Sequence, residues 1–447
     1  MIGIKGVGMT MLAEFLAHEG YEITGSDTAE KFMTDAVLDR AGIKVFQGFN
    51  SEQLNREADL VIYSSAYNEN NNEELKSALE NKMKVASYAE TMGAVFNTRY
   101  GVAVAGSHGK TTTTAWLGYV LKEAGLEPNV MVGAQVPQFN GAGLVGKSNL
   151  LVIEADEYQN KLRYFNPKMI VLNNIDYDHP DFFKDEASYE QVFADFISKL
   201  PKSGILIANF NDKIVKKLAK QCKGRVVSYG FKDCDYIISN DGYDGIKQYF
   251  SLSLDGVEVG TFSIQLNGEH NILNAASVIV AAIELNADLL AIRRGLEGFS
   301  GTARRLQKLG EYKGALIIDD YAHHPTEIKA TLAAVKQKWP KKKIRVVFHP
   351  HTFSRTEALL DDFAKSFTKA DEVIVLDIYT SARETKGEIT GQQVADEIKN
   401  NISDKKEVKY LKDLEAVESY LRETVGDNDL ILLMGAGDVF RIGERLL

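Results

Sequence analysis

A glycine-rich turn followed by a lysine and a threonine carries the side chains best suited to chemistry. It lies between an apolar run at residues 101–105, predicted to be a strand, and a predicted helix that continues to residue 124. Glycines at such a corner let backbone N–H groups approach phosphate oxygens, and a helix N-terminus adds partial positive charge. The lysine can reach the β- and γ-phosphates, and the threonine hydroxyl can bind Mg²⁺. The predicted nucleotide-binding residues are Gly106, Ser107, His108, Gly109, Lys110, Thr111 and Thr112.

Acidic side chains follow two other apolar runs in the same part of the chain. Glu154-Ala155-Asp156-Glu157 comes after residues 150–153, and Asp176-Tyr177-Asp178-His179 comes soon after residues 170–172. If both runs are strands of one parallel sheet, their tips share the carboxyl edge, where ligands bind in α/β proteins. Carboxylate oxygen is the hard ligand that Mg²⁺ prefers. Taken alone, these tips would also fit solvated loop charge, but beside a phosphate loop they favour metal binding.

A second glycine turn lies near the start of the sequence. Gly3-Ile4-Lys5-Gly6-Val7-Gly8 has the spacing GxxGxG, because Lys5 stands where the dinucleotide fingerprint GxGxxG has its second glycine. Asp27 follows after a second predicted strand. A diphosphate or ribose site at this helix N-terminus is physically reasonable. Nicotinamide binding and a purely structural turn are the alternatives.

Strands alternate with helices along most of the chain, which predicts an α/β fold with parallel sheets. The 447 residues correspond to about three domains. We predict a Rossmann-like domain at residues 1–98 and a central P-loop ATPase-like domain at residues 99–300, with a β-rich stretch at 225–266. A second Rossmann-like domain is predicted at residues 301–447.

The composition excludes several classes of protein. A formal net charge of −10 argues against binding to a nucleic-acid backbone, which requires a basic field. The sequence has no run of about 18 apolar residues and no signal-peptide pattern at its start, so no membrane insertion is expected. Cys222 and Cys234 match no zinc or redox spacing. We therefore predict two free thiols in a reducing compartment.

Four separated stretches resemble the Mur ligase family, and they occur in the family's order. They are residues 3–10, 106–113, 268–274 (GEHNILN) and 319–327 (DDYAHHPTE), with further likeness at 304–305 and 349–356 (HPHTFSRT). The resemblance covers nearly the whole chain and is strongest to the alanine-adding members. It implies three domains. The first would bind UDP-N-acetylmuramate, the second ATP and Mg²⁺, and the third the amino acid and part of the nucleotide.

Carried over position by position, the resemblance assigns roles to individual residues. The catalytic residues would be Lys110, Glu154, His179 and Arg305, and the metal ligands Thr111, Glu154 and His179. ATP would also contact Asn271, Asn274, Arg305 and Asp320. The UDP moiety would face Gly6, Gly8, Asp27, Ser64 and Ser65. The carboxylate of the amino acid would be held by His351 and Arg355.

The reaction that the resemblance implies is ATP-dependent amide formation in peptidoglycan precursor synthesis. The γ-phosphoryl group of ATP would convert the UDP-N-acetylmuramate carboxylate to an acyl phosphate. The amine of L-alanine would then attack its carbonyl carbon, and the tetrahedral intermediate would expel phosphate. The protein would position the reactants and neutralise charge. The resemblance further implies a cytoplasmic enzyme that is a monomer or weak homodimer, without a nucleic-acid partner.

Two parts of the sequence disagree about the group that is added. Residues 154–158 resemble the recycling ligase that attaches a whole tripeptide to the same sugar, whereas residues 351–356 resemble the alanine adders. Because the latter run lies where the amine should bind, we predict L-alanine and keep the tripeptide as the alternative. Outside this family, an NAD-dependent oxidoreductase would leave the phosphate loop without a role. A P-loop regulatory ATPase would leave the histidine clusters without one.

Overall fold

A computed structural model describes residues 1–380, 384, 386–403 and 406–447. They pack into two compact units. Unit 1 comprises residues 1–175, 191–237 and 276–299, and unit 2 comprises residues 176–190, 238–275 and 300–447. The domain boundaries predicted near residues 98 and 300 stay predictions. Among the described residues, no helix has both the length and the apolar character needed to cross a bilayer.

The first part of unit 1 alternates short strands with helices. Its elements are α1 (Val7–His18), β1 (Thr24–Asp27), α2 (Asp35–Arg40), β2 (Lys44–Gln47), β3 (Val61–Tyr63), α3 (Glu73–Glu80), β4 (Val85–Ser87) and α4 (Tyr88–Asn97). Strands β1 and β2 pair in parallel, and so do β3 and β4. Before the first glycine turn, Ile2 forms parallel bridges to Ser26 and to Tyr63. The first glycine turn therefore starts between these two strand pairs and leads into α1.

A mainly parallel sheet forms the rest of unit 1. Its strands are β5 (Tyr100–Ala105), β6 (Asn129–Val136), β7 (Gly141–Leu144), β8 (Leu150–Glu154), β9 (Met169–Leu172), β10 (Ile205–Asn209) and β11 (Arg225–Gly230). Their order is β11–β10–β9–β5–β8–β6–β7, with β6 and β7 antiparallel. The helices are α5 (Lys110–Glu123), α7 (Lys213–Leu218) and α9 (Leu289–Gly298). The apolar runs of β5, β8 and β9 are almost completely buried, as expected for parallel strands covered on both faces.

The central strands β9, β5 and β8 bring their carboxyl ends to one edge of the sheet. Ala105 pairs with Leu172, and Val104 pairs with Glu154, both in parallel register. The phosphate loop follows directly from β5, and Glu154 is the last residue of β8. The prediction that Glu154 lies at the carboxyl edge beside the phosphate loop is confirmed.

Three elements include residues of both units: α6 (Glu186–Ser198), β12 (Tyr236–Tyr243) and α8 (Glu269–Glu284). In unit 2, strands β13 (Gln248–Leu254) and β14 (Val257–Ile264) form an antiparallel hairpin. Its turn is made by Asp255 and Gly256, both at positive φ. Such a turn matches the strand twist, which is why an Asp-Gly pair predicts a hairpin.

A second α/β sheet occupies the C-terminal part of unit 2. Its strands are β15 (Gln307–Tyr312), β16 (Ala315–Asp320), β17 (Lys343–Phe348), β18 (Glu372–Val375), β19 (Glu407–Tyr410) and β20 (Asp429–Met434). Their order is β15–β16–β20–β17–β18–β19, with β15 antiparallel to β16 and the other pairs parallel. The helices are α10 (Pro325–Lys338), α11 (Phe353–Ala358), α12 (Leu360–Ala364), α13 (Gly391–Asn401), α14 (Leu414–Thr424) and α15 (Phe440–Leu446). Apolar clusters pack on both faces.

A buried arginine joins the amino ends of three neighbouring strands in this sheet. Arg345 on β17 donates from Nε to Glu372 Oε2 at 2.5 Å and from Nη1 to Asp429 Oδ2 at 3.1 Å. A third bond, from Nη2 to Thr424 Oγ1, measures 2.8 Å. Arg345 and Glu372 are almost fully buried, and their charges compensate each other. This network lies at the edge opposite to the strand ends at Asp320 and Phe348.

Candidate active site

The phosphate loop is shaped by two glycines and by an asparagine from the next strand connection. Gly106 and Gly109 have φ values of 133° and 76°, which side chains with a Cβ rarely adopt. Asn174 accepts the His108 N–H at Oδ1 (2.8 Å), donates from Nδ2 to the His108 carbonyl (3.1 Å) and accepts the Ser107 N–H at its own carbonyl (3.1 Å). The loop conformation is therefore stabilised by hydrogen bonds to Asn174, a residue outside the loop.

Lys110, the first residue of α5, folds its side chain back over the loop. Its Nζ donates to the carbonyls of Gly106 (2.5 Å) and Ser107 (3.0 Å) and to Glu157 Oε2 (2.8 Å). Burial by itself would lower the pKa of Lys110, but the carboxylates of Glu157 and Asp156 more than offset this effect, and the pKa is raised. A charged ammonium is thus held at the phosphate loop.

The side chain of Thr111 lies beside the tip of β8. Its hydroxyl donates to Glu154 Oε1 at 2.7 Å, and Glu154 Oε2 accepts the N–H of Gly133 at 2.7 Å. A hydroxyl next to a carboxylate is the pair of hard oxygen donors that Mg²⁺ prefers. Thr111 and Glu154 therefore fit a magnesium site. The third predicted ligand, His179, belongs to unit 2 and has a φ of 58°.

The first glycine turn is bordered by the residues predicted to face UDP. Asp27 Oδ2 accepts the N–H of Lys5, and Oδ1 accepts the N–H of Thr28, each at 2.7 Å. The Ser64 N–H donates to the Ile2 carbonyl at 3.0 Å, next to Gly3, and Ser65 follows in the same loop. Gly6 is the N-cap of α1. The structure thus brings the glycine turn, Asp27 and the 64–65 loop together.

The Lys5 side chain points away from this turn. Its Nζ donates to the carbonyls of Thr28 (3.0 Å) and Glu30 (2.7 Å) and lies 3.4 Å from Asp35 Oδ1. Because an ammonium has three donors, these contacts use its hydrogen-bonding capacity within the protein. Lys5 therefore stabilises the segment that follows β1.

The predicted adenine-site residues lie at the start of α8 in unit 2. Asn271 donates from Nδ2 to the Asn267 carbonyl at 2.9 Å, and Asn274 donates from Nδ2 to Asn271 Oδ1 at 3.4 Å. Both side chains are buried. The structure places these two amides side by side, one helical turn apart.

Arg305 and Asp320 lie on the loop before β15 and at the end of β16. Arg305 Nη1 is 3.5 Å from Glu327 Oε1. Asp320 Oδ2 accepts the N–H of Leu306 at 2.7 Å, and Oδ1 accepts that of Ala322 at 2.9 Å. Asp320 thereby fixes the backbone next to Arg305, which is an internal role in addition to the predicted nucleotide contact.

Asp178, His323, His351 and Arg355 form a group in unit 2, here termed the Arg355 cluster, in which Asp178 and Arg355 are buried and the two histidines are half-buried. Arg355 Nε donates to Asp178 Oδ1 at 2.7 Å, and its Nη1 lies 3.1 Å from His351 Nδ1. The His323 and His351 rings meet edge to face, with centroids 6.0 Å apart. Arg355 has only 4% of its surface exposed. The predicted pair of amino-acid-binding residues is thus in contact, and Arg355 also pairs with Asp178.

The pKa values within the cluster separate its charged groups from its neutral ones. Burial, together with the Arg355 charge, lowers the pKa of His323 to about 3 and that of His351 to about 4. Burial would raise the pKa of Asp178, but the adjacent Arg355 guanidinium holds it well below its usual range. At neutral pH the cluster contains an ionised Asp178–Arg355 pair and neutral imidazoles, one of which accepts a hydrogen bond from the arginine.

Asn174, Glu157 and Asp178 contact predicted site residues, but sequence reasoning did not include them in the site. Asn174 is the second residue after β9, so a polar pair following a buried strand was the available signal. Glu157 and Asp178 stand in the acidic tips noted from the sequence, but nothing local indicates which cation each one meets. His324, beside Pro325, caps α10: its Nδ1 accepts the Thr326 N–H at 3.3 Å.

Comparison with known proteins assigns the whole chain to one family. Residues 1–100 match a model described as the catalytic domain of the Mur ligase family. Residues 104–282 match the Mur ligase middle domain, and residues 304–437 match the glutamate ligase domain of Mur ligases.

Similar proteins extend over the same length. A UDP-N-acetylmuramate–L-alanine ligase of Desulfitobacterium hafniense is 38% identical over 449 residues, covering 100% of this chain and 98% of the relative. One of Alkaliphilus metalliredigens is 38% identical over 452 residues, covering 100% and 96%. The crystal structure of the UDP-N-acetylmuramate–alanine ligase of Thermotoga maritima matches with a TM-score of 0.83 and 26% identity, covering 100% of this chain and 97% of that one. The chain belongs to the Mur ligase family.

Proposed function

We propose that this chain is an ATP-dependent ligase that joins L-alanine to the carboxylate of UDP-N-acetylmuramate through an acyl phosphate. The arrangement of Lys110, Thr111 and Glu154 carries the proposal, since it combines a phosphate loop with two hard oxygen ligands at one sheet edge. The full-length similarity to curated alanine-adding ligases supports the choice of both substrates.

In this proposal Lys110 exchanges its internal acceptors for phosphate oxygens. Its ammonium is held by two carbonyls and Glu157, and flexible single-point donors of this kind can be redirected as the triphosphate arrives. The charge then offsets the repulsion between the sugar carboxylate and the γ-phosphoryl group that it attacks. ADP leaves as the acyl phosphate forms.

Thr111 and Glu154 are proposed to hold Mg²⁺ next to Lys110, with His179 as a further ligand. Bound there, the ion supplies Lewis-acid charge neutralisation at the phosphates. The Gly133 N–H, which bonds to Glu154, fixes the orientation of that carboxylate. Arg305 is proposed to add a second cationic contact to the nucleotide, and the amides of Asn271 and Asn274 to face the adenine.

Recognition of the amino acid is assigned to His351 and Arg355. An arginine fork can bind a carboxylate with two parallel hydrogen bonds. Arg355 is almost fully buried, and its guanidinium is already held in place by hydrogen bonds to Asp178 and His351. Such a pre-ordered cation suits a small amino acid, whose carboxylate lies close to its attacking amine. In a tripeptide the first α-carboxyl is an amide, so the contact would be lost.

The cellular setting follows from the proposed substrates. Because ATP and UDP-linked sugars are cytoplasmic metabolites, we propose a cytoplasmic reaction that needs no nucleic-acid partner. The proposed working form is a monomer or weak homodimer. Size-exclusion chromatography with light scattering, at concentrations spanning those of the assay, tests this last point.

Phosphate release with a panel of acceptors tests the function. Turnover should require ATP, Mg²⁺, UDP-N-acetylmuramate and an amine together, with L-alanine preferred over other amino acids and over L-Ala-γ-D-Glu-diaminopimelate. Mass spectrometry of the product distinguishes ligation from plain ATP hydrolysis. Efficient product formation without a divalent metal would contradict the proposal, and a better rate with the tripeptide would replace alanine addition by peptide recycling.

A further inference from the structure

Tyr88 occupies a fixed position at the beginning of α4. Its neighbour Ser87 caps this helix in a capping box: Ser87 Oγ accepts the Glu90 N–H at 3.3 Å, and Glu90 Oε2 accepts the Ser87 N–H at 2.8 Å. Two reciprocal bonds restrict the backbone at the first helical turn. The direction in which the Tyr88 side chain leaves the helix is therefore determined by the chain around it.

The Tyr88 ring packs against the last glycine of the first glycine turn. A Cβ added to Gly8 would lie 2.9 Å from both Cζ and Oη of Tyr88, closer than a side chain normally tolerates. The glycine spacing GxxGxG thus has a second explanation. Gly8 leaves room for a tyrosine hydroxyl directly beside the turn at which the UDP moiety is proposed to bind.

The helix that contains Gly8 also packs on β6 beside the tip of β8. Met11 Sδ accepts the Val132 N–H at 3.1 Å, and the next N–H, that of Gly133, donates to Glu154 at the end of β8. The pKa of Tyr88 is raised by burial first, and then by the charges of Glu154 and Asp156. The phenol therefore keeps its proton at any ordinary pH and acts as a hydrogen-bond donor. In the described part of the chain, no protein group forms a hydrogen bond with Tyr88 Oη. One free donor thus stands between the first glycine turn and Glu154, which is proposed to hold the metal.

We propose that Tyr88 Oη donates a hydrogen bond to the sugar carboxylate and positions it for attack on the γ-phosphoryl group. This inference rests on the proposed function. The carboxylate must extend from the sugar nucleotide at the glycine turn towards the phosphate at Lys110, and Tyr88 Oη stands beside that turn. A neutral donor can orient an anion there without withdrawing the charge that the nucleophile needs.

The substitution Tyr88→Phe isolates the hydroxyl, because the ring that packs on Gly8 is kept. Tyr119→Phe is the matched control. The hydroxyl of Tyr119 lies 2.9 Å from the Cβ position of Gly298 in the same way, but on α5 beside Phe299, outside the proposed site. Hydrogen bonds to charged groups contribute about 1.5–3 kcal/mol, so kcat/KM for UDP-N-acetylmuramate should fall about 10- to 100-fold in Tyr88→Phe. It should be unchanged in Tyr119→Phe.

Binding measurements separate positioning from a structural effect. UDP-N-acetylglucosamine lacks the carboxylate, so its Kd should be the same in the wild type and in Tyr88→Phe, whereas the Kd of UDP-N-acetylmuramate should rise. The KM for ATP should not change. Equal weakening of both sugar nucleotides, or wild-type kinetics in Tyr88→Phe, would overturn the inference. A wild-type protein without ligase turnover would instead contradict the proposed function, independently of Tyr88.

Discussion

Lys110 in unit 1 and Arg355 in unit 2 are both largely enclosed cations paired with a carboxylate, but their surroundings differ in kind. Around Lys110 the partners are oxygens: two backbone carbonyls and Glu157. Around Arg355 the partners are Asp178 and an imidazole nitrogen of His351. An ammonium can turn its three donors towards new acceptors, whereas a guanidinium presents a rigid planar fork.

This difference suits two kinds of ligand. The oxygen-rich region around Lys110 can reorganise around a triphosphate and a metal ion, whose charges are large and spread over many oxygens. The Arg355 cluster keeps one direction of hydrogen bonding and surrounds it with imidazoles that burial keeps neutral. The geometry of this cluster suits the binding of a single small carboxylate. The following experiments test whether the two regions divide the work in this way.

The largest effect is expected from Lys110→Ala. Loss of a donor aimed at developing charge typically costs about 10²- to 10³-fold in kcat, and we expect a loss of that size here. The Kd of UDP-N-acetylmuramate should stay within twofold of the wild type, because its proposed site lies at the other glycine turn. Steady-state kinetics and calorimetric binding measure the two quantities.

The matched control for this prediction is Lys122→Ala, at the exposed last turn of the same helix. Its turnover should equal that of the wild type. A correctly folded Lys110→Ala variant that loses less than tenfold in kcat would remove Lys110 from the chemistry.

Arg355→Ala should raise the KM for alanine about 10- to 100-fold, the range given by a charged hydrogen bond of about 1.5–3 kcal/mol. The KM values for ATP and UDP-N-acetylmuramate should change much less. Arg355→Lys keeps the charge but not the fork, so it should fall between the wild type and alanine. Arg441→Ala, exposed on α15, is the control. A uniform rise in all three KM values would show general damage to unit 2.

Acid pH should destabilise unit 2 through its neutral histidines. Burial lowers the pKa of His270 and His351 to about 4 and that of His323 to about 3, so the unfolded chain, with pKa values near 6.5, takes up these protons first. The free energy of unfolding should therefore fall as pH drops from 6.5 to 4. Asp319, whose pKa is raised by burial to about 6, and Asp320, whose pKa is also raised by burial, act in the opposite direction. They stand against these three histidines and His349, whose pKa burial lowers as well.

Calorimetric melts at pH 7, 5.5 and 4 measure this pH effect. His323→Gln should reduce the dependence, because glutamine does not titrate. A slope that is identical in His323→Gln and in the wild type would show that this imidazole is not buried in its neutral form.

The smallest effect concerns the side chain of the amino acid. Removing the methyl group of alanine should cost only about 1–3 kcal/mol, so glycine should be a slower but real substrate, and L-serine should behave similarly. Competition kinetics with the three amino acids measures the ratios. Complete rejection of glycine would mean that the acceptor site recognises the methyl side chain as well as the carboxylate.

The parts of this molecule that follow from local pattern could be predicted from the sequence. An apolar strand, a glycine corner and a helix start specified the phosphate loop, and the acidic end of β8 was placed correctly because parallel strands share an edge. The Asp255–Gly256 hairpin turn followed from the φ values that this pair permits.

Contacts between distant positions could not be predicted in the same way. Glu157 is 47 residues from Lys110, Asn174 is 66 residues from His108, and Asp178 is 177 residues from Arg355. The pairing of these residues depends on tertiary packing, which a single sequence does not reveal. Lys5 illustrates the point: nothing in the glycine turn indicates that its ammonium donates to the carbonyls of Thr28 and Glu30.

The buried Arg345 network has a consequence for how far this protein can be altered. It secures the amino ends of β17, β18 and β20, while His351 and Arg355, proposed to bind the amino acid, follow the carboxyl end of β17. Removing one partner of a buried ion pair costs about 3–5 kcal/mol, so the amino edge should tolerate little change. Libraries that vary the loops at the carboxyl edge should stay folded, which makes acceptor specificity the property most open to directed evolution.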